Sequence, residues 1–223
     1  SLVGGPKIAN KGYYCDDNEL TNLIGAPEKL TGTFYCNNNK LTSLEGFPSL
    51  FNGKFYCSDN KLTNFNGIST DNKNNVFHTF FCNDNELTSL KFSPDEVLNS
   101  FSINNNKLTS LEFAPISVGD EFDCSDNQLT SLDFLPETIG GDLICYNNNW
   151  TYPIPKEILD KYKIDEKLLY TPEQLKKFKS YNFQYDYLTE FPEKYKELKQ
   201  FGFAPGIRTE FDWLFNAIDM GLM

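Results

Sequence analysis

The 223-residue chain holds a single histidine, His78, and six cysteines, none after Cys145. No Cys-x-x-Cys pair occurs, which removes a zinc cluster from consideration. No apolar run approaches the ~18–20 residues that a membrane-crossing helix needs. No leader-peptide pattern is visible. A glycine-rich phosphate loop is missing, and no serine or cysteine is spaced to work with His78 as nucleophile and base. These absences predict a protein that is not an enzyme and holds no cofactor or metal. Positive charge is scarce as well. Nine lysines face nineteen carboxylates in residues 1–153, and eleven basic residues face twelve carboxylates in residues 154–223. A net charge of -11 repels phosphate backbones and favours basic partners, so a protein partner with a basic patch is expected and nucleic acid is not.

What the chain does have is a beat. The stretch Phe34-Tyr-Cys-Asn-Asn-Asn-Lys-Leu-Thr-Ser-Leu44 recurs seven times. One slot holds Cys15, Cys36, Cys57, Cys82, Ile103, Cys124 and Cys145, at steps of 21 residues except for one step of 25. Asn18, Asn39, Asn60, Asn85, Asn106, Asn127 and Asn148 keep the same interval, and a leucine follows two residues later until Trp150 takes its place. A period between ~20 and 50 residues is the mark of a solenoid. Disulfide frameworks have irregular spacings, so the even cysteine column predicts stacked, small, buried thiols instead. Free thiols in that number point to a reducing compartment, the cytoplasm.

Each copy can be read as a short strand and a return path. Apolar and open positions alternate through Thr33–Cys36, which is strand periodicity. Tyr13, Phe34, Phe55, Phe80, Phe101, Phe122 and Leu143 are the inward column, and equal spacing stacks the strands in parallel. The asparagine amide is suited to satisfy backbone groups where the chain leaves the strand. Leu44 and its equivalents point back inside. Pro48 and its equivalents leave too little length for a helix, so the return should be extended or 3₁₀. A last apolar residue closes each coil: Leu30, Phe51, Val76, Val97, Val118 and Ile139.

The order apolar-x-Cys-x-x-Asn-x-Leu resembles the second half of the leucine-rich-repeat signature over residues 2 to about 152. The short, proline-bearing coil is similar to the compact bacterial type of secreted effectors. The wording Leu-Thr-Ser-Leu-x-Gly-x-Pro is closer still to repeats in bacteriophage genomes. The resemblance implies an α/β repeat solenoid, with a parallel sheet on a concave face and an extended or 3₁₀ convex side. It implies protein recognition rather than catalysis, and for the phage-like wording a host-directed protein that blocks a bacterial defence factor in the host cytoplasm. Leu2–Pro6 matches Leu44–Pro48, so the chain enters within a repeat: either an upstream copy was removed or the array begins uncapped.

Two departures shape the expected site. Four extra residues fall within Asn66–Asn75, predicting a bulged loop. The outward strand slot holds Tyr14, Tyr35, Tyr56 and Phe81 in the first four coils, and Asp120, Glu121, Asp123, Asp126 and Asp142 stand beside the later strands. Aromatics concentrate in interface hot spots. The nine residues are therefore read as a partner-binding face with an aromatic and an acidic end, against the alternative of one tyrosine copied by duplication. Calcium is not expected at the acids, because carboxylates spread over parallel strands rarely converge.

After Trp150 the beat stops. Helices are predicted from Pro155 to Tyr162, from a Thr171 cap with Pro172 at the first position, over Phe191–Gln200, and from Thr209 with Phe211, Leu214, Phe215 and Ile218 on one face. Residues 1–153 are thus expected to form the solenoid and 154–223 a helical cap or small docking domain. The competing role is structural: a spacer or assembly part of a larger particle or longer chain.

Overall fold

In the computed structural model the described residues are 1–69, 75–151 and 153–178. The chain divides into two compact units, Ser1–Leu169 and Tyr170–Met223. The first is a parallel β-solenoid of about six turns, with two ladders in one sheet of eleven strands.

The main ladder runs through β2 (Gly12–Tyr14), β3 (Lys29–Tyr35), β4 (Leu50–Tyr56), β5 (Val76–Phe81), β7 (Phe101–Ser102), β9 (Phe122–Asp123) and β11 (Leu143–Ile144). These are rungs one to seven. Its register joins Tyr13, Phe34, Phe55, Phe80, Phe101, Phe122 and Leu143. The second ladder joins β1 (Ile8–Ala9), β3, β4, β5, β6 (Glu96–Val97), β8 (Ser117–Val118) and β10 (Thr138–Ile139), every pair parallel. The return path is therefore extended, with a ladder of its own, and no 3₁₀ turn occurs among the described residues.

The inward column is a stack of rings. Phe34, Phe55, Phe80, Phe101 and Phe122 have no exposed surface, and successive ring centroids lie 5.1–5.6 Å apart. Each buried ring contributes on the order of 2–3 kcal/mol by leaving water. The cysteines fill the space beside them. All six are free and buried, and the Cys15, Cys36 and Cys57 thiols lie 3.4–3.5 Å from the carbonyl oxygen of the next rung. Burial pushes the Cys36, Cys57 and Cys124 thiols well up, and those of Cys15 and Cys145 to about 12. These five are held protonated, and the whole column serves as filler.

The asparagine column does what its chemistry suggested. Asn60 Nδ2 donates to the carbonyls of Cys36, Cys57 and Ser58 at 3.0–3.1 Å, and its Oδ1 accepts from the Leu41 N–H at 2.9 Å. One side chain thus satisfies four backbone groups across two coils. Just before it, Asp17, Asn38, Asp59, Asp84, Asn105, Asp126 and Asn147 all take φ of 49–55°. Asp and Asn tolerate this left-handed conformation better than other side chains, which explains the Asp-Asn and Asn-Asn pairs.

One column differs from expectation. Val76 does not close its coil; Phe77 does, with 2 % exposure and rings of Phe47, Phe51 and Phe80 within 5.1–5.8 Å. The β4–β5 register slips between Gly53 and Lys54, leaving His78 as the odd residue, its Nε2 3.0 Å from Asn52 Oδ1. Against β4 the longer coil gains three residues before Val76 and a fourth at His78.

After rung seven, Trp150, Ile154, Leu159 of α1 (Lys156–Lys161) and Leu169 of α2 (Glu166–Leu169) are buried within the first unit. In the second unit residues 172–178 are helical. Thr171 caps them reciprocally: Gln174 N–H donates to Thr171 Oγ1 at 3.2 Å and Thr171 N–H to Gln174 Oε1 at 2.9 Å. The helices expected over Phe191–Gln200 and from Thr209 lie outside the described residues. No helix among the described residues is long and apolar enough to cross a membrane.

Candidate interaction surface

A parallel rung turns every second side chain outward, and the register then sets like slots side by side. The outward slot next to the cysteine column holds Tyr14, Tyr35, Tyr56 and Phe81 on rungs one to four, in direct register. Tyr14 stacks on Tyr35 at 5.2 Å and 19°, Tyr35 on Tyr56 at 4.5 Å and 10°, and Phe81 turns its edge to Tyr56 at 5.3 Å and 89°. The four rings form one continuous row. Tyr14, at its end, is 67 % exposed, and the other three are half-buried. Burial raises the Tyr35 phenol above its ordinary value, helped by the neighbouring phenols and a hydrogen bond with Tyr56. The row offers ring edges and hydroxyls.

The later rungs continue the slot with different chemistry. Ser102 is buried, and Asp123 and Ile144 are half-buried. Asp123 Oδ1 accepts from the Ser125 N–H at 3.0 Å and from its hydroxyl at 2.6 Å. Burial raises this carboxyl while the two Ser125 bonds pull it back. Glu121 is raised by burial and then by the charges of Asp123, Asp120 and Asp142. Asp120 accepts from Ser100 Oγ at 3.3 Å. Asp126 belongs to the left-handed corner instead, where its Oδ1 accepts from Asn147 Nδ2 at 2.9 Å. So the charges of Asp120, Asp123 and Asp142 act on Glu121, and that of Asp126 acts on Asp123 while its side chain serves the coil corner. Among the described residues no group of three His, Cys, Asp or Glu side chains is placed to hold a metal ion.

A third feature has no counterpart in the reading of the sequence. Each coil makes a four-residue turn across from the main ladder, whose third residue is left-handed. After rungs one to three that residue is Gly25, Gly46 and Gly67; after rungs four to six it is Phe92, Phe113 and Phe134, at φ of 71°, 68° and 64°. A bulky residue there costs roughly 1–2 kcal/mol. The reason glycine gives way is local. Backbone bonds tie successive early turns, from Leu23 N–H to Glu45 O at 2.8 Å and from Leu44 N–H to Asn66 O at 2.9 Å. A Cβ on Gly67 would sit 2.2 Å from the Leu44 carbonyl. The bond lengthens to 3.2 Å at Phe65 N–H to Lys91 O, and Leu90 and Leu111 make no such backbone bond to the next turn. The loosened turns have room for a side chain, and they point it outward: Phe113 is 51 % and Phe134 63 % exposed. The signal was available in the sequence, where Gly-Phe-Pro becomes Phe-Ser-Pro, Phe-Ala-Pro and Phe-Leu-Pro.

Comparison with models of known protein families, with curated proteins and with solved structures finds no match.

Proposed function

We propose that the chain is a leucine-rich-repeat protein whose main ladder presents a binding face to a basic protein partner, without catalysis. The observation that carries this is the unbroken row from Tyr14 to Phe81. Stacked rings are ordered before any partner arrives, so little side-chain entropy is lost on binding, and exposed ordered aromatics are the commonest hot-spot residues. Asp120, Glu121, Asp123 and Asp142 on the later rungs would steer a positively charged partner. The asparagine ladder and the phage-like repeat wording support the family assignment. From that wording follows the narrower proposal of a host-directed protein that inhibits a bacterial defence factor. The six free, buried thiols agree with a reducing compartment.

The structural alternative, a spacer or assembly part, draws on β2, which among the described residues pairs with β3 alone and leaves Tyr14 open. Affinity capture from bacterial lysate, read by mass spectrometry, separates the two. The full chain and its Tyr35→Ala/Tyr56→Ala variant serve as baits. A partner held by the full chain and lost by the variant, with thermal unfolding changed by no more than the ~0.5–1.5 kcal/mol that ring contacts are worth, supports the binding face. A chain that captures only itself supports assembly and removes the binding proposal.

A further inference from the structure

The three turn phenylalanines form a ridge across the coil from the main ladder. All three sit in strained backbone; Phe113 and Phe134 stand largely in water, and Phe92 is half-buried. Around them the surface is acidic. Glu112 and Asp133 precede Phe113 and Phe134, and exposed Ile116 lies between Asp95 and Glu137, to which its backbone is bonded in the neighbouring coils. The first turn of the ridge shows what such a ring accepts. There the preceding residue is Lys91, and its ammonium stands 5.2 Å from the centroid of the Phe92 ring. In the next two turns that lysine is replaced by Glu112 and Asp133, so those rings lack their own cation and carry a carboxylate in its place.

We propose that the Phe92–Phe113–Phe134 ridge is a second docking surface, for a basic amphipathic helix of a protein partner. Lysine or arginine side chains of that helix lie over the Phe113 and Phe134 rings and pair with Glu112 and Asp133, as Lys91 lies over Phe92. Its leucine-type side chains cover Ile116. Helix turns follow one another at about 5.4 Å, so a helix of a few turns is long enough to run along the three successive turns of the ridge. This surface is separate from the sheet face and does not depend on it.

The test uses the full chain and a fluorescent synthetic helix of about four turns, with leucines on one face flanked by lysines, read by anisotropy at low salt. A second peptide carries glutamate for every lysine. The lysine peptide binds, and the glutamate peptide does not. Phe113→Gly/Phe134→Gly weakens binding at least ~tenfold, as loss of hot-spot rings does, while melting at the same or a higher temperature, because glycine suits the left-handed backbone. Glu112→Gln/Asp133→Asn weakens it severalfold. Equal binding of both peptides, undiminished binding to the glycine variant, or a lower melting temperature for that variant would overturn the proposal; the last outcome would make the rings structural. Sedimentation showing self-association that the glycine variant abolishes would overturn it in favour of a second copy of the chain.

Discussion

Rungs one to four and rungs five to seven share their inner columns and differ in almost everything outside them. In the early part β3 and β4 are seven residues long and serve both ladders without a break, whereas from β6 onward each strand is two residues and the ladders separate. The early turns are tied by backbone bonds and need glycine; the later turns are loose and bear phenylalanine. The early sheet face is aromatic, the later one acidic. The phenylalanine and asparagine columns persist because each coil must bury its rings and satisfy the backbone of its neighbour. Nothing in that requirement constrains the turn or the outward slots. A repeat can therefore keep its interior while each part of its surface takes its own chemistry.

The sharpest way to break the comparison is to move a residue across it. Gly67→Phe places in a tied turn the side chain that Phe92 carries in a loose one. Its Cβ meets the Leu44 carbonyl at 2.2 Å, backbone that can retreat only by opening the coil. We expect a loss of about 4 kcal/mol or more, at the exceptional end for single substitutions. Urea unfolding checks this, and an unchanged midpoint would show that the backbone bonds do not hold the turns together.

How much of this was legible depended on whether a position repeats. The parallel rungs, the Phe34 and Cys36 columns and the asparagine ladder follow from a fixed period, because register carries one coil's solution to the next. Phe77 takes the place expected of Val76 because the insertion is split, with three residues before Val76 and a fourth, His78, after Phe77. The phenylalanine ridge is hidden in the repeat because its rings sit one residue before the slot that buries Phe47 and Ile68, and that displacement carries a ring from core toward solvent. Of the candidate face, the ring row was visible from register alone. The division among the acids was not, since it depends on which carboxylates meet Ser125 or Asn147 and which meet each other.

The next effect contrasts an interior coil with the edge. Asn60→Ala leaves the Leu41 N–H buried without a partner, while the Cys36 carbonyl keeps the Asn39 amide, at about 1–3 kcal/mol. Asn18 bonds only the carbonyls of its own coil, Cys15 and Asp16, and is exposed. Asn18→Ala should cost under about 1 kcal/mol. Equal losses in chemical denaturation would mean that the inter-coil bonds add nothing beyond the local turn.

Where the two regions meet, the slot that holds Phe47 and Ile68 passes to Ser93. A cavity of about 220 Å³ opens there, lined by Ile68, Phe77, Pro94 and Leu98 among others. Ser93 Oγ and Asn75 Nδ2 are buried in it without partners. Ser93→Ile restores the earlier residue type and removes one orphaned hydroxyl. It should stabilise by about 1 kcal/mol, from added apolar burial and relief of the lost hydrogen bond. A lower midpoint would show that the junction is already tight.

The smallest effect tests the acidic end. Glu121 holds its proton more tightly folded than unfolded, because burial and the charges of Asp123, Asp120 and Asp142 raise it above the ordinary 4.5. Its contribution to stability is therefore full below that value and is lost as pH rises through the raised one. Near neutral pH the carboxylate stands ionised against like charges, and Glu121→Gln should raise the melting temperature by about 1–2 °C. Well below pH 4.5 the wild-type group is already neutral, so the advantage should vanish. An advantage that persists in acid would trace to packing or hydrogen bonding of the amide. One that disappears would identify the later rungs as a surface where charge is kept against stability, the counterpart of the strained rings on the turns of the same region.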